Sequence, residues 1–396
     1  MEGGGVHERF MRRALELARQ GEGCTRPNPL VGAVVVREGA VIAEGYHTRC
    51  GGPHAEAVAL EKAGDRARGA DLYVNLEPCV HREKKTPPCT EAIIASGIRR
   101  VIVAIRDPNP LVDGKGIARL RAAGIEAVEG VLADEARRLN EAFFHWIRNR
   151  TPFVVLKLAM SLDGKIATAT GRSRWLTGPE ARRLVHALRR RYAAVLVGVG
   201  TVLADDPELT VREVPGPQPL RIVLDSRGRI PVGAKVLSPG APTLIAATEA
   251  MPAEVERGLR ARGAEVWRLP ARQGRVDLRE LLMRLGEREV DSLLVEGGAE
   301  VAWSFLSQGL VHKIVFFYAP LVLGGRDAVH AVGGEGVPDP SEAIRIHDLA
   351  VERVGDDLLV SGYPVAPAPG EEGRGLLSEG AGGGVRCGGQ GEGNSC

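Results

Sequence analysis

Three runs within residues 51–89 decide how the chain is read: Gly51-Gly52-Pro53-His54-Ala55-Glu56, then Leu72-Tyr73-Val74-Asn75-Leu76 leading into Glu77-Pro78-Cys79, then Thr86-Pro87-Pro88-Cys89. One imidazole and two thiols make the donor set of a catalytic zinc site. Three protein ligands leave the fourth tetrahedral position to a water, whose pKa the metal lowers to about 7. Glu56 is two residues from His54, an awkward distance for a fourth ligand and a good one for moving protons, so it is read as the general acid/base. Pro53 suits the first turn of a helix that Ala57-Val58-Ala59-Leu60 continues, which puts His54 and Glu56 in that first turn. Residues 72–76 read as a strand, Cys79 falls in the loop after it, and a second helix begins near Cys89 and carries Ile93 and Ile94. Both helices then aim their positive ends at the metal, which favours thiolate over thiol.

His-x-Glu followed by Pro-Cys-x-x-Cys is the zinc deaminase pattern, but here nine residues separate Cys79 from Cys89. That long, proline-ended interval resembles the deaminase of riboflavin biosynthesis, whose pattern closes on Thr-Pro-Pro-Cys as residues 86–89 do. Arg26-Pro27-Asn28-Pro29-Leu30-Val31-Gly32-Ala33 is similar to the segment lining the base pocket in that family, and Asp107-Pro108-Asn109-Pro110 to a later one. The resemblance implies zinc on His54, Cys79 and Cys89, catalysis by Glu56, and Asn28 as a hydrogen-bond donor to the pyrimidine. Two rivals stay open. A deaminase acting on a base in tRNA calls for a basic surface and a short Cys–Cys interval, and a structural zinc site calls for a fourth protein donor such as Cys50 or His81.

A chain of 396 residues exceeds what one core usually serves, so two domains are expected. Hydrophobic content of 44% and charged content of 26% belong to an ordinary soluble protein. A formal net charge of +2 gives no electrostatic footprint for nucleic acid. No apolar run approaches the roughly 18 residues of a membrane span, and the polar, glycine-rich start is not a signal peptide. Six scattered cysteines do not form a disulfide framework in so long a chain, which points to the cytosol.

In order, residues 6–21 predict an amphipathic helix, and 30–36 with 40–44 a hairpin around Glu38-Gly39. Strands follow at 100–105 and 126–131, with a helix at 116–123 between them and a last helix over 134–147. Phe144 and Trp146 on that helix read as core or inter-domain packing. Strands alternating with helices make a layered α/β domain that ends near residues 148–152. A new strand begins at Phe153, and four segments beyond it are hard to explain as packing: 157–165, 173–177, 198–207 after the strand 194–197, and Leu293-Leu294-Val295-Glu296-Gly297-Gly298 opening a helix from Ala299 to Ser307. A Gly-Gly turn at a helix start offers backbone N–H groups to an anion. Gly198-Val199-Gly200 lacks the third glycine of the dinucleotide fingerprint, so a doubly wound dinucleotide fold is not supported.

Together these segments resemble the reductase half of the bifunctional riboflavin biosynthesis enzyme, a domain similar to dihydrofolate reductase. The fold expected is α/β throughout: an N-terminal cytidine-deaminase-like α/β/α domain over residues 1–148 and a C-terminal dihydrofolate-reductase-like α/β domain over 149–364. The resemblance implies NADPH contacts at Ala159, Trp175, Thr201, Asp205, Gly298, Ala299, Glu300, Val301, Ala302, Trp303 and Ser304. It implies substrate contacts at Ser173, Arg189, Leu209, Arg212 and Glu296, although Arg189-Arg190-Arg191 taken alone reads as a solvated helix face. Lys157 and Asp205 are candidates for the acid of the reduction. The ligands implied are one zinc per chain, NADPH and a small phosphoribosylaminopyrimidine, with no nucleic acid and no membrane; a homo-oligomer is compatible with the sequence. From Gly370 onward, 27 residues hold 11 glycines, and the segment 365–396 is expected to be disordered.

Overall fold

A computed structural model describes residues 3–80 and 87–365. Thr86, His81, Cys387, Cys396 and the glycine-rich tail beyond Val365 lie outside the described residues. The first half runs α1 (Gly3–Arg19), β1 (Gly32–Arg37), β2 (Ala40–Tyr46), α2 (Ala55–Ala63), β3 (Asp71–Val74), α3 (Cys89–Ala95), β4 (Arg100–Val103), α4 (Lys115–Ala122), β5 (Glu126–Glu129), α5 (Ala133–Leu139) and α6 (Glu141–Asn149). Its sheet has the order β2-β1-β3-β4-β5. The β1–β2 hairpin turns through Glu38 and Gly39, both with positive φ (51° and 78°), the pair of left-handed residues that a two-residue hairpin turn needs. β1 is antiparallel to β3, while β3, β4 and β5 are parallel.

Valines on both faces of β1 make that strand central. Val35 faces the cluster formed with Ala59, Ile93 and Ile117 of α2, α3 and α4. Val34 and Val36 face the opposite cluster with Phe10, Ala14 and Ala136 of α1 and α5. The result is the α/β/α sandwich expected. The single helix expected over 134–147 is instead two, broken at Asn140. The Asn140 carboxamide accepts from the Leu30 N–H (2.8 Å) and donates to the Leu30 carbonyl (2.9 Å). Asn75 also donates to the Leu30 carbonyl (2.9 Å) and accepts from Gly32 N–H (2.8 Å). Two asparagines thereby clamp the 26–31 loop over the end of the sheet.

The second half continues with β6 (Phe153–Ser161), β7 (Lys165–Ala167), α7 (Pro179–Arg191), β8 (Ala194–Gly198), α8 (Val199–Asp205), β9 (Leu220–Leu224), β10 (Thr243–Ala247), α9 (Ala253–Ala261), β11 (Glu265–Arg268), β12 (Ala271–Arg272) and β13 (Arg275–Val276). It ends with α10 (Leu278–Glu287), β14 (Ser292–Val295), α11 (Ala299–Leu306), β15 (Lys313–Ala319), β16 (Val329–His330), β17 (Ile346–Val354) and β18 (Asp357–Pro364). The main sheet has nine strands in the order β11-β10-β9-β8-β14-β6-β15-β18-β17. From β11 to β15 every pairing is parallel, and β18 and β17 close it as an antiparallel hairpin. Parallel strands are buried on both faces, which explains runs such as Ala194-Val195-Leu196-Val197. α7, α8 and α9 cover one face; α10 and α11 cover the other.

The halves meet where α6 hands over to β6. Trp146 is buried and donates its indole N–H to the Gly286 carbonyl (3.4 Å), in line with the packing role expected. Beside it the His145 and His312 rings lie 4.0 Å apart, and the His312 ring stacks on Phe153 at 5.3 Å. Val154 N–H donates to His312 Nδ1 (2.9 Å), and His145 Nε2 bonds the Thr151 hydroxyl (3.1 Å). Burial keeps both imidazoles neutral, lowering His145 to about 4 and His312 to about 3. In the unfolded chain both take protons near pH 6.5, so the unfolded state binds more protons below that pH and stability falls with it. The melting temperature is therefore expected to drop as pH is lowered from 6.5 toward 4, and to drop less in His145→Phe, whose ring takes no proton; equal profiles would remove these histidines from the account.

Candidate active sites

The three metal donors predicted from sequence come together at the start of two helices. His54 is the residue preceding α2, with extended backbone (φ −73°, ψ 157°), so it caps the helix rather than sitting in its first turn as expected. Cys89 opens α3 after Pro88, and Cys79 lies in the loop beyond β3. His54 Nδ1 is 3.1 Å from Cys89 Sγ and 3.7 Å from Cys79 Sγ, and all three donor atoms fall within 4.8 Å of one another. A tetrahedral zinc with bonds of about 2.3 Å to sulfur and 2.0–2.1 Å to nitrogen has edges of about 3.6 and 3.8 Å between such donors. The donor set and its spacing thus fit zinc. The hydrogen bond to Cys79 and burial push the Cys89 thiol up, a penalty that a divalent cation relieves by taking both sulfurs as thiolates. Among the described residues no fourth donor joins the cluster, and Cys50 is exposed.

Glu56, in the first turn of α2, is 3% exposed, and its Oε2 has no hydrogen-bond partner. A buried, unsatisfied carboxylate oxygen beside a metal centre marks a place for a ligand atom. Burial raises the Glu56 carboxyl, the direction a proton carrier needs. His47, which sequence reading passed over, links this centre to Asn28. Its ring lies 5.5 Å from that of His54; Nδ1 bonds the Pro53 carbonyl (2.9 Å) and Nε2 the Asn28 amide (3.3 Å). With the Nδ1 proton given to Pro53, Nε2 accepts from Asn28, which keeps a second amide N–H for a ligand.

Glu77 is the second residue the sequence did not single out for a role. Its carboxylate accepts from the backbone N–H groups of Asp107 (3.3 Å), Gly114 (2.9 Å) and Ile117 (3.1 Å), which ties the loop after β4 to the Pro78-Cys79 turn. The contact is close: a Cβ on Gly116 would lie 2.2 Å from the Pro78 carbonyl oxygen.

A cleft of about 1490 Å³ runs along the C-terminal ends of the parallel strands in the second half. Ala159, Ser173, Trp175, Arg189, Thr201, Asp205, Leu209, Arg212, Glu296, Gly298, Ala299, Glu300, Val301, Trp303 and Ser304 line it, as the sequence reading grouped them. Ala302 does not: the turn of α11 points it into the core, where it is fully buried. Arg189 is not the solvated side chain of a charge run. Its guanidinium forms a bidentate pair with Glu296 (2.6 and 2.8 Å), the two side chains being 12% and 6% exposed, so neither faces the cleft as a free charge. Burial lowers the pKa of Lys157 while Glu296 opposes it. Asp205 accepts from the Ser173 hydroxyl (2.6 Å). Arg212 makes an exposed pair with Glu208 (2.7 Å) and donates to the Thr210 hydroxyl (2.8 Å), exposed contacts of a type that costs little to exchange for a phosphate. Trp175 is 70% exposed, with the Arg182 guanidinium 4.8 Å from its ring centroid.

Two glycines shape the cradle. A Cβ on Gly297 would lie 2.8 Å from Val197 Cα, so only glycine lets the β14 and β8 ends approach this closely. Gly298 has φ +22°, and no side chain caps α11, so its first N–H groups point toward the cleft edge. An uncapped helix start opening onto a cleft that an exposed indole also lines fits a dinucleotide.

Two family models divide the chain where its sheets divide. The cytidine and deoxycytidylate deaminase zinc-binding region matches residues 5–105, and the RibD C-terminal domain matches residues 152–360. These matches define the class: a deaminase and a reductase joined in one bifunctional enzyme. The riboflavin biosynthesis protein RibD of Aquifex aeolicus (strain VF5) is 46% identical over 356 residues, 90% of this chain and 98% of that one. The solved structure of Acinetobacter baumannii RibD superimposes with a TM-score of 0.82 at 36% identity, over 91% of this chain and 99% of the other. A diaminohydroxyphosphoribosylaminopyrimidine deaminase/5-amino-6-(5-phosphoribosylamino)uracil reductase from Thermotoga maritima gives 0.81 at 40% identity, with the same coverage. The chain belongs to the RibD family and is a bifunctional deaminase and reductase of riboflavin biosynthesis.

Glu77→Ala would strand three backbone N–H groups, a loss of about 2 kcal/mol or more. Urea unfolding is expected to show it, accompanied by weaker zinc retention on dialysis; full stability would mean that the loop finds other acceptors.

Proposed function

We propose that residues 1–148 deaminate 2,5-diamino-6-(5-phosphoribosylamino)pyrimidin-4(3H)-one and that residues 149–364 then reduce the ribosyl group of 5-amino-6-(5-phosphoribosylamino)uracil with NADPH. The single observation that carries the first half is Glu56 Oε2, buried and unpartnered beside three converged metal donors. The printed name of the Thermotoga maritima relative supports the choice of substrates. Reduced, metal-ligating thiols suit the cytosol.

Zinc held by His54, Cys79 and Cys89 would supply a Lewis acid and a water activated at neutral pH. Asn28, oriented by His47, hydrogen-bonds the pyrimidine and fixes the amine-bearing carbon toward Glu56. Glu56 takes a proton from the attacking water and gives it to a ring nitrogen. It then takes the second proton and passes it to the amine, which leaves as ammonia while the carbon keeps the oxygen.

In the second cleft, NADPH would supply a hydride for the ribosyl carbon attached to the amine, opening the sugar to a ribityl chain. The Gly298–Ser304 run, without the side chain of Ala302, holds the dinucleotide, with Ala159, Trp175, Thr201 and Asp205 around it. Ser173, Leu209 and Arg212 receive the phosphoribosyl group, and Lys157, an amine lining the cleft whose charge Glu296 favours, gives the ring oxygen its proton. Orientation is the protein's main contribution here.

The rival in which zinc is only structural predicts that Glu56 is dispensable. Glu56→Gln is expected to keep one zinc per chain and to lose ammonia release by at least about 100-fold, the usual worth of a general acid/base, while reduction of the separately supplied deaminated substrate continues. Undiminished deamination in that variant would overturn the role of Glu56.

A further inference from the structure

The first half holds two thiols that neither active site uses. Cys24 lies in the turns after α1 and Cys50 in the turn after β2; both are exposed and both are free. Distant in sequence, they are neighbours in the fold, for the Cys50 N–H donates to the Cys24 carbonyl at 3.2 Å. The two loops run side by side in a constant register. Gly21 packs against His47 so closely that a Cβ there would strike the His47 carbonyl oxygen, and three residues further along each loop Cys24 meets Cys50. A peptide hydrogen bond between adjacent segments holds their Cα atoms about 5–6 Å apart, and disulfides bridge roughly 4.4–6.8 Å. The backbone spacing that a disulfide needs is therefore already in place.

Both ends are fixed by their surroundings. The Cys24 N–H donates to the Gly21 carbonyl (3.0 Å), and Arg26 donates to the Gly23 carbonyl (3.2 Å). Around Cys50, the Gly52 N–H donates to the Arg49 carbonyl (3.0 Å), and the His47 N–H ties the loop to the Val31 carbonyl (2.9 Å). These thiols are also set apart from the metal donors. Cys79 and Cys89 are buried and cluster with His54, whereas among the described residues Cys24 and Cys50 belong to no group of three metal donors. Oxidation of a thiol follows its access to the oxidant, so a dissolved oxidant reaches Cys24 and Cys50 first. The loops they would join are the one that carries Asn28 and the one that leads through His47 and Pro53 to His54.

We propose that Cys24 and Cys50 form a reversible thiol–disulfide site, closed by a low-molecular-weight disulfide and opened by a thiol, whose bond staples these two loops together. One cysteine, as thiolate, attacks a sulfur of oxidised glutathione and expels one glutathione thiolate. The second then attacks the protein sulfur of the mixed disulfide and expels the other, so the two cysteines lose two electrons and two protons and two glutathione thiols gain them. A reducing glutathione pool keeps an exposed pair open, and the bond closes as the pool is oxidised. Because the hydrogen bond already sets the spacing, closure holds the loops where they stand and stabilises chiefly by restricting residues 24–50 in the unfolded chain.

The test incubates the zinc-bound full chain with oxidised glutathione, blocks the remaining thiols and maps disulfides by peptide mass. Melting temperature, zinc content and ammonia release are read before and after oxidation, and again after reduced glutathione. Expected are a Cys24–Cys50 linked peptide, a melting temperature higher by about 5 °C or more, retained zinc, ammonia release within about twofold, and reversal by reduced glutathione. Cys24→Ser and Cys50→Ser, exposed and close in size, are each expected to fold normally and to show no shift. Bonds from either cysteine to Cys387 or Cys396, mixed disulfides that never close, or a Cys79–Cys89 bond with loss of zinc would overturn the inference. So would a Cys24–Cys50 bond that lowers the melting temperature or ammonia release, since it would then be pulling the loops out of place.

Discussion

The constraint on which the first active site depends is that two helix starts and one strand end converge on a few ångströms. A metal centre with three protein donors tolerates little error in their spacing, and here the donors are His54 before α2, Cys79 after β3 and Cys89 opening α3. Ala59 of α2 and Ile93 of α3 pack into one cluster with Val35 and Val74 of the sheet, which sets the helices side by side with their starts at one edge. Core packing of these helices therefore positions the ligands they carry. Glu56 gains its role from the same packing, since burial in the first turn of α2 both raises its carboxyl and leaves one oxygen without a protein partner.

The second half uses a related arrangement on a larger sheet. Its parallel strands all end on one side, so the turns after β6, β8, β9 and β14 open onto one cleft, the usual place for a ligand in an open α/β sheet. Uncapped N–H groups, an exposed indole, the Arg189–Glu296 pair and Lys157 all line it. The joint between the halves is itself well packed, with Trp146 and the His145–His312 pair taking apolar places that a mobile linker would leave open.

How much of this was legible in the sequence follows from how local each feature is. The donors His54, Cys79 and Cys89 were legible because each is set by its own short element, a helix start or a strand end. The deaminase-like and reductase-like organisation followed from those motifs and from the strand-glycine-helix segments. The break at Asn140 was not legible, because the bonds that stop the helix there run to Leu30, 110 residues away. Arg189 looked like one of three solvated arginines because its partner Glu296 is 107 residues distant. His47 and Glu77 were missed for the same reason: their value lies in bonds to groups that only the folded chain brings near. Ala302 is a different case, since helical periodicity alone already places it opposite the cleft-facing residues of α11.

The central claim is a zinc ion held by one imidazole and two thiolates, with the remaining position left to solvent. X-ray absorption at the zinc edge of the purified enzyme tests it most directly. Two sulfur scatterers at about 2.3 Å and two nitrogen or oxygen scatterers at about 2.0–2.1 Å, with the multiple scattering of a single imidazole, are predicted. A third sulfur or a second imidazole would close the coordination sphere with protein and contradict the account.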